Sequence, residues 1–294
     1  MRTLRPILAL AFTALAAAVL TQPVAAQEAS ALLAQQTTSL PAQQASILVT
    51  QQPSITAAPK AIVEPTTGGY QFPTQTLHYD AEWRLWKAGS AVIKIQPGPG
   101  ALAHVVATAE SSGAVAMLYR VQDRLESYFD QRTNCSDRII KHSEEGFHKR
   151  ETTLLFDPGR EKSVLDERNL RNGETKHVET NSPACVTDVL SGMFYVASQR
   201  LEPGNVHLFP LNDGGKTVEV TAYVEGREEV KTDAGSFRTV RVAVYSTAGA
   251  LKNRGKIWIW YTDDPAHLPV QMRSRLFWGT MTLRLARVER SAEK

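Results

Sequence analysis

The stretch that decides the fold is TLHYDAEWRL, residues 76–85, in which apolar and polar side chains alternate. Every second residue from Leu77 to Leu85 is apolar, and each residue between them is polar or charged. This period is typical of a β-strand with one buried face, because successive side chains of a strand point to opposite sides. The same alternation recurs in residues 218–225 and 240–244, so the chain is predicted to form a sheet.

Turn-forming residues separate the alternating segments. Residues 96–100 read QPGPG, Asp157-Pro158-Gly159 has the chemistry of a type II turn, and Asn172-Gly173 is a hairpin signal. Residues 76–290 contain about 10–11 closely spaced strand segments, without helices alternating between them. This spacing favours an antiparallel meander, in a sandwich or a barrel, over parallel strands joined by helices.

One segment has the helical period instead. Its apolar residues are Val189, Leu190, Met193, Phe194 and Ala197. They form the stripe of an amphipathic helix, which must be buried against the sheet. Thr187 is the predicted N-cap, and a second, short helix is predicted over residues 114–118. The predicted fold class is therefore mainly β (α+β), with an antiparallel sheet and one main helix packed against one of its faces.

Residues 1–26 are typical of a secretory signal peptide, with a positively charged start and an apolar run from 7 to 20. That run is shorter than the roughly 20 residues that cross a bilayer. Small residues precede a predicted cleavage site between Ala26 and Gln27. An uncleaved anchor is the alternative, which Pro23 and the short run disfavour. We therefore expect a mature protein without a transmembrane span, located in the periplasm.

The segment that follows, residues 27–75, is dominated by Gln, Ala, Thr, Ser and Pro. We interpret it as a disordered linker, because it lacks any pattern that would form a core; a tether to a partner is the alternative. Residues 76–290 are predicted to form a single antiparallel β domain.

The net charge is only +3, from 33 basic and 30 acidic residues. Such a small charge argues against a nucleic-acid partner, which normally requires a basic face.

Cys135 and Cys185 are the only cysteines, and an even count in an exported protein favours a disulfide. The alternatives are two free buried thiols and a redox pair, although the Cys-x-x-Cys spacing of most redox pairs is absent. A disulfide would link the loop before the strand at 139–143 to the start of the helix near Thr187.

No common hydrolase, phosphate-binding or zinc-protease motif occurs in the sequence. Three weaker candidates have simpler interpretations. The stretch 142–148, with two His and two Glu, matches no metal template and is interpreted as a solvated turn. The aspartates at 263–264 precede a proline and also indicate a turn, and Ser191 has no neighbouring base. We therefore predict no catalytic residue, no metal site, no cofactor and no enzymatic activity.

The aromatic residues suggest a ligand site. Trp258 and Trp260 lie on one face of a predicted strand, while Ile257, Ile259 and Tyr261 lie on the other, so both faces are apolar. Such a strand either lies between two layers or has one face lining a cavity. Ordinary core packing is one interpretation, and an apolar groove under the helix, able to hold an acyl chain, is the other.

Several segments resemble, in order and spacing, the domain of unknown function 3108 family of bacterial exported proteins. They are Tyr79-Asp80-Ala81-Glu82-Trp83, Leu118-Tyr119-Arg120-Val121-Gln122-Asp123, Val186-Thr187-Asp188-Val189-Leu190-Ser191, Arg227-Glu228-Glu229-Val230-Lys231-Thr232 and Trp258-Ile259-Trp260-Tyr261-Thr262-Asp263-Asp264. The resemblance implies an exported protein without assigned catalytic residues. It also implies a fold similar to the unclosed β-barrel of periplasmic lipoprotein carriers, in which a curved antiparallel sheet wraps a helix and holds an acyl chain.

These observations predict a protein that binds a lipid or another hydrophobic molecule in an apolar groove. The residues predicted to line the groove are Trp83, Tyr119, Trp258, Trp260 and Trp278. The alternative is a non-catalytic envelope protein that assembles with a protein partner. A hydrolase is the third hypothesis, and the missing motifs disfavour it.

Overall fold

The computed structural model describes residues 73–84, 86–212, 214, 216–246, 256–276 and 279–290. The predicted signal peptide with its cleavage site at Ala26 and Gln27, nearly all of the predicted linker, and Trp278 lie outside the described residues. Within the described ranges, no helix is long and apolar enough to cross a membrane.

Fourteen strands form one antiparallel sheet that does not close. The strands are β1 (Gln75–Trp83), β2 (Trp86–Pro97), β3 (Leu102–Ser111), β4 (Val121–Asp130), β5 (Ser136–Glu145), β6 (His148–Asp157), β7 (Lys162–Asn169), β8 (Thr175–Asn181), β9 (Val206–Asn212), β10 (Thr217–Thr232), β11 (Gly235–Tyr245), β12 (Ile257–Thr262), β13 (Pro269–Leu276) and β14 (Gly279–Arg290). Their order in the sheet is β8-β7-β6-β5-β4-β3-β2-β1-β14-β13-β12-β11-β10-β9, so β8 and β9 are the edges. The predicted mainly β fold, an unclosed antiparallel sheet with one main helix, is confirmed.

The sequence estimate of about 10–11 strands is too low, because it omits β7, β8 and β9. In β8 most side chains are exposed on both faces, so no alternation of apolar and polar residues marks it. Strand β9 contains Pro210, which lacks the N–H that a central strand needs but is compatible with an edge. In β7 the alternation of buried positions is limited to the first half of the strand.

Two helices lie in the described part of the chain, α1 (Gly113–Leu118) and α2 (Val189–Ala197). All nine residues of α2 are buried, so the helix is enclosed on every side rather than amphipathic as predicted. Tyr261 Oη, from β12, donates a hydrogen bond to Met193 O of α2 at 2.9 Å. The face of β12 that carries Tyr261 is therefore the inner face of the sheet, against the helix.

The N-cap of α2 is Asp188, not the predicted Thr187. The Asp188 carboxylate accepts hydrogen bonds from Leu190 N at 2.7 Å and Ser191 N at 3.1 Å, and Asp188 N donates to Ser191 Oγ at 2.8 Å. Thr187 N instead donates to Pro210 O of β9 at 2.9 Å. Thr187 is thus held as an extended residue beside β9, and the helix begins only after it.

The segment 185–188, called the seam segment below, connects the two halves of the sheet. On one side, Ser136 N of β5 donates to Val186 O at 2.8 Å. On the other side, Thr187 forms a parallel bridge with Leu211 of β9. The seam segment therefore occupies the gap that the unclosed sheet leaves.

The predicted disulfide between Cys135 and Cys185 is present, with the two Cα atoms 5.0 Å apart. It attaches the seam segment to the loop between β4 and β5. Near the same gap, Asn212 Nδ2 of β9 donates to Ser163 Oγ of β7 at 3.2 Å. The main-chain hydrogen bonds of the seam segment, the disulfide and side-chain contacts, rather than a continuous strand ladder, hold the two ends of the sheet around α2.

Candidate functional site

An apolar pocket of about 80 Å³ lies between α2 and the inner face of the sheet. The side chains around it come from α2, β9 and β11–β14. They are Val189, Leu190, Gly192, Met193, Val196, Phe209, Leu211, Val244, Ile257, Ile259, Met272, Arg273, Ser274, Met281 and Leu283. Because nearly all of these residues are apolar, a water molecule would find few hydrogen-bond partners there, whereas an apolar group would be accommodated.

Two features of the lining affect what the pocket can hold. A Cβ on Gly192 would lie 3.1 Å from Phe209 Cε2, so the missing side chain lets α2 approach β9 closely. Met193, Met272 and Met281 supply three flexible thioether side chains to the wall. Methionine changes rotamer easily and adapts to irregular apolar shapes, so this wall can adjust to a ligand.

Ser274 adds a polar point to the apolar wall. Its side chain is 8% exposed, and its Oγ has no hydrogen-bond partner among the described residues. It faces the pocket from β13, where it pairs with Met281 of β14. A ligand with one hydrogen-bonding group would satisfy this hydroxyl.

The predicted ligand residues Trp258 and Trp260 lie on the opposite face of β12 from the apolar pocket. Ile257 and Ile259 alternate with them and line the pocket. The pairing with β11 places Val244 opposite Ile257, which continues the pocket wall. The sequence showed that both faces of β12 are apolar, and the structure shows that the isoleucine face is the inner one.

A second pocket, called the outer pocket below, lies on the tryptophan side of the sheet and has a volume of about 530 Å³. It is lined by Glu225, Arg241, Trp258, Trp260, Arg273, Arg275 and Thr280. Trp260 is 4% exposed, and its Nε1 donates to Glu228 Oε1 at 2.7 Å. The outer pocket is therefore aromatic and charged, in contrast to the apolar pocket.

Two other predicted ligand residues, Trp83 and Tyr119, pack together in a small separate cluster with Ala88 and Val121. Neither lines the apolar pocket. The structure thus brings the described candidates together in two pairs, while Trp278 lies outside the described residues. The pocket residues that the sequence did not single out, such as Met272, come from the inner faces of strands distant in sequence, and only the strand register identifies them.

Tyr119 lies beside two carboxyl groups, those of Asp123 on β4 and Glu145 on β5. Burial, followed by the charges of Glu145 and Asp123, raises the pKa of Tyr119 to about 12. Burial and the neighbouring Glu145 likewise raise the pKa of Asp123 to about 8. Asp123 is 7% exposed, and Glu144 N donates to its Oδ1 at 3.1 Å. Because its pKa is about 8, the Asp123 carboxyl group carries a proton at neutral pH and is uncharged beside Glu145.

The Asp123 carboxyl makes the stability of the protein depend on pH. Its pKa is higher in the folded state, so the folded protein binds an additional proton between about pH 4 and about pH 8. Stability should therefore fall as the pH rises through this window. Asp123→Asn should flatten the pH dependence of the melting temperature and raise this temperature at pH 8. Asp137→Asn, the same change at an exposed residue of β5, is the control, and equal slopes for both variants would contradict the prediction.

The remaining sequence candidates have structural roles. Ser191 Oγ accepts a hydrogen bond from Asp188 N and lies 2.9 Å from Ser136 Oγ. Asp264 Oδ1 accepts hydrogen bonds from Thr262 Oγ1 and Ala266 N, both at 2.9 Å, as expected for a turn. The stretch 142–148 is a turn only at residues 146–147, since residues 142–145 belong to β5 and His148 begins β6. No group of three or more metal-ligating residues occurs in the described part of the chain.

Comparisons with known proteins identify a family and a fold. The sequence model described as Protein of unknown function (DUF3108) matches residues 78–286. A beta-barrel-like protein of domain of unknown function DUF1849 from Brucella abortus is similar in structure, with a TM-score of 0.52 and 10% identity over 76% of this chain and 100% of that chain. A protein described as exported, with a YmcC-like fold, from Bacteroides fragilis has a TM-score of 0.33 and 10% identity over 75% and 99% of the two chains. No curated protein matches the sequence significantly.

Proposed function

Since the chain belongs to the DUF3108 family of proteins of unknown function, we propose from its own geometry that it binds a lipid or another hydrophobic ligand in the apolar pocket beneath α2. The single observation that carries this proposal is the apolar wall between α2 and the inner face of the sheet. We place the protein in the periplasm, after removal of residues 1–26. Its role is binding rather than catalysis, since the candidate nucleophile Ser191 is committed to the cap of α2.

The pocket must widen to take an acyl chain. Its volume of about 80 Å³ is about half that of an engineered 150 Å³ apolar cavity that holds benzene. The methionine side chains of the wall can move at little cost. The gap between the edge strands β8 and β9 provides a second place to widen, because the seam segment and a side-chain contact from β9 to β7 bridge it in place of a strand ladder.

Binding would be driven by the burial of apolar surface. A chain that buries about 300 Å² would gain roughly 7 kcal/mol, before the costs of ordering the ligand and opening the pocket. Because the driving force is not directional, chain length and shape should matter more than the identity of the head group for entry into the pocket.

A ligand carried from the cell should remain bound during a mild purification. Native mass spectrometry of the protein from periplasm should show a defined additional mass that is extracted by organic solvent. The fluorescent apolar probe N-phenyl-1-naphthylamine should bind the purified protein. Hexadecanol, a neutral probe, should then displace it and lower its fluorescence.

Filling the pocket should abolish this uptake. Met272→Trp places a larger side chain in the wall and is expected to weaken hexadecanol binding at least tenfold, with little loss of secondary structure. Met117→Trp is the matched control, because Met117 on α1 is 88% exposed and does not line the apolar pocket. An apo mass together with no binding of either probe by the unaltered protein would contradict the proposal and favour a protein partner in the envelope.

A further inference from the structure

The outer pocket contains two arginines, Arg273 and Arg275, that have no carboxylate partner among the described residues. The carboxylate that lines the pocket, Glu225, and the neighbouring Glu228 are both engaged by Arg241, whose Nε donates to Glu225 Oε2 at 2.7 Å and whose Nη1 donates to Glu228 Oε1 at 2.8 Å. In the part of the chain that the structure describes, neither Arg273 nor Arg275 forms an ion pair. Arg273 and Arg275 therefore present two guanidinium groups without an ion-pair partner in the described ranges to the same concave site, where three arginines outnumber the two glutamates.

The Arg273 guanidinium lies over the ring of Trp260. Its Cζ lies 5.3 Å from the centre of the Trp260 ring, and Trp260 is itself held by the hydrogen bond from Nε1 to Glu228. Arg273 Nε is buried and has no hydrogen-bond partner among the described residues. A buried donor without a partner is costly, and a shift of the guanidinium that lets Nε donate to an anion in the outer pocket would remove that cost.

Strand geometry also brings Arg275 to the outer pocket. Arg275 is two residues beyond Arg273 on β13, so the two side chains share a face with their Cα atoms about 7 Å apart. Arg275 is exposed and pairs across the sheet with Thr280, whose side chain also lines the outer pocket. The two guanidinium groups can therefore approach one ligand from two positions.

We propose that the outer pocket binds a phosphate monoester attached to an apolar or aromatic group. A phosphate monoester carries about −1.5 to −2 charges at pH 7, which matches the two unpaired guanidinium groups of Arg273 and Arg275. Its oxygens accept the paired hydrogen bonds that a planar guanidinium donates. The volume of about 530 Å³ leaves room beyond the phosphate, and the half-buried Trp258 supplies an apolar wall for the attached group.

Two sources can present this chemistry: a soluble phosphate ester, and phosphatidic acid in a membrane. Isothermal titration with phenyl phosphate, in 150 mM salt, tests the first source. Sedimentation with vesicles that contain phosphatidic acid, compared with phosphatidylcholine alone, tests the second. Specific binding in either arm supports the proposal and identifies the source. The unaltered full chain should bind phenyl phosphate at least tenfold more tightly than phenol or sulfate.

The variants test the assignment of residues. Arg275→Gln and Arg273→Gln should each weaken binding of phenyl phosphate about tenfold, and Trp258→Leu should weaken phenyl phosphate more than inorganic phosphate. Arg168→Gln is the control, since Arg168 is an exposed arginine on β7, away from the outer pocket. Absence of binding to phenyl phosphate and to both vesicle types would overturn the proposal. The proposal would also be overturned if the Arg273 and Arg275 variants lost no more affinity for phenyl phosphate than the control, or if the unaltered protein bound sulfate as tightly as phenyl phosphate. None of these outcomes depends on hexadecanol binding in the apolar pocket.

Discussion

Replacement of Asp188 by alanine is expected to lower the free energy of unfolding by about 4 kcal/mol. The carboxylate is completely buried and accepts four hydrogen bonds. Two come from the hydroxyls of Ser127 at 2.5 Å and Ser136 at 2.7 Å, and two from the amides of Leu190 and Ser191 at the start of α2. Alanine would leave these donors without an acceptor in a region that water does not reach.

The estimate combines two effects. Loss of an N-cap costs about 1 kcal/mol, and each buried donor left without a partner costs about 1–3 kcal/mol. The serine hydroxyls can turn toward other acceptors, whereas the helix amides cannot. Asp188 also joins β4 and β5 to α2, because Ser127 and Ser136 belong to those strands. The variant should therefore loosen the packing of α2 against the sheet as well as its first turn.

Urea unfolding monitored by tryptophan fluorescence measures the loss. Asp130→Ala is the matched control: Asp130 Oδ1 accepts hydrogen bonds from Arg132 N at 2.8 Å and Thr133 N at 2.9 Å, but in a half-exposed turn. Water can accept these hydrogen bonds in place of the carboxylate, so Asp130→Ala should lower the free energy of unfolding by about 1 kcal/mol. Equal losses for Asp188→Ala and Asp130→Ala would show that burial of the donors is not the cause.

The parts of the fold that sequence predicts are those in which burial imposes a period. Leu77, Tyr79 and Ala81 of β1 alternate in the sequence and are between 0% and 7% exposed in the structure. The family resemblance added the unclosed topology, which local pattern does not specify. Strand β8 was not predicted because both of its faces are largely exposed, and its pairing with β7 depends on backbone hydrogen bonds that any sequence can make.

The candidate site was predicted less completely, for a different reason. Both faces of β12 are apolar, so the sequence does not indicate which of them contacts the helix. The inner face is determined by pairing with β11 and by the hydrogen bond from Tyr261 to α2, which are long-range contacts. The tryptophans were chosen for their size, but two of them, Trp258 and Trp260, line the outer pocket with arginines. Residues such as Met272 carry no local signal, and their place in the pocket follows only from the assembled sheet.

Loss of the disulfide is the second large effect expected. Cys135 and Cys185 are separated by 50 residues, and closing a loop of this length stabilises the folded state by about 4 kcal/mol in the chain-entropy model. The double variant Cys135→Ser, Cys185→Ser should lose about this free energy in urea unfolding. The unaltered protein treated with a reductant should behave like the double variant.

The effect should also have a local signature, because the disulfide attaches the seam segment to the sheet. The amides of Ser136 and Thr187 donate to Val186 O and Pro210 O across the gap, so they should lose hydrogen-exchange protection when the disulfide is absent. Amides of β1, at the centre of the sheet, should lose only the protection that corresponds to the decrease in the free energy of global unfolding. If the seam amides lost no more protection than β1, the disulfide would act on the unfolded chain alone. A larger loss at the seam would show that the disulfide also limits how far the unclosed sheet can open around α2.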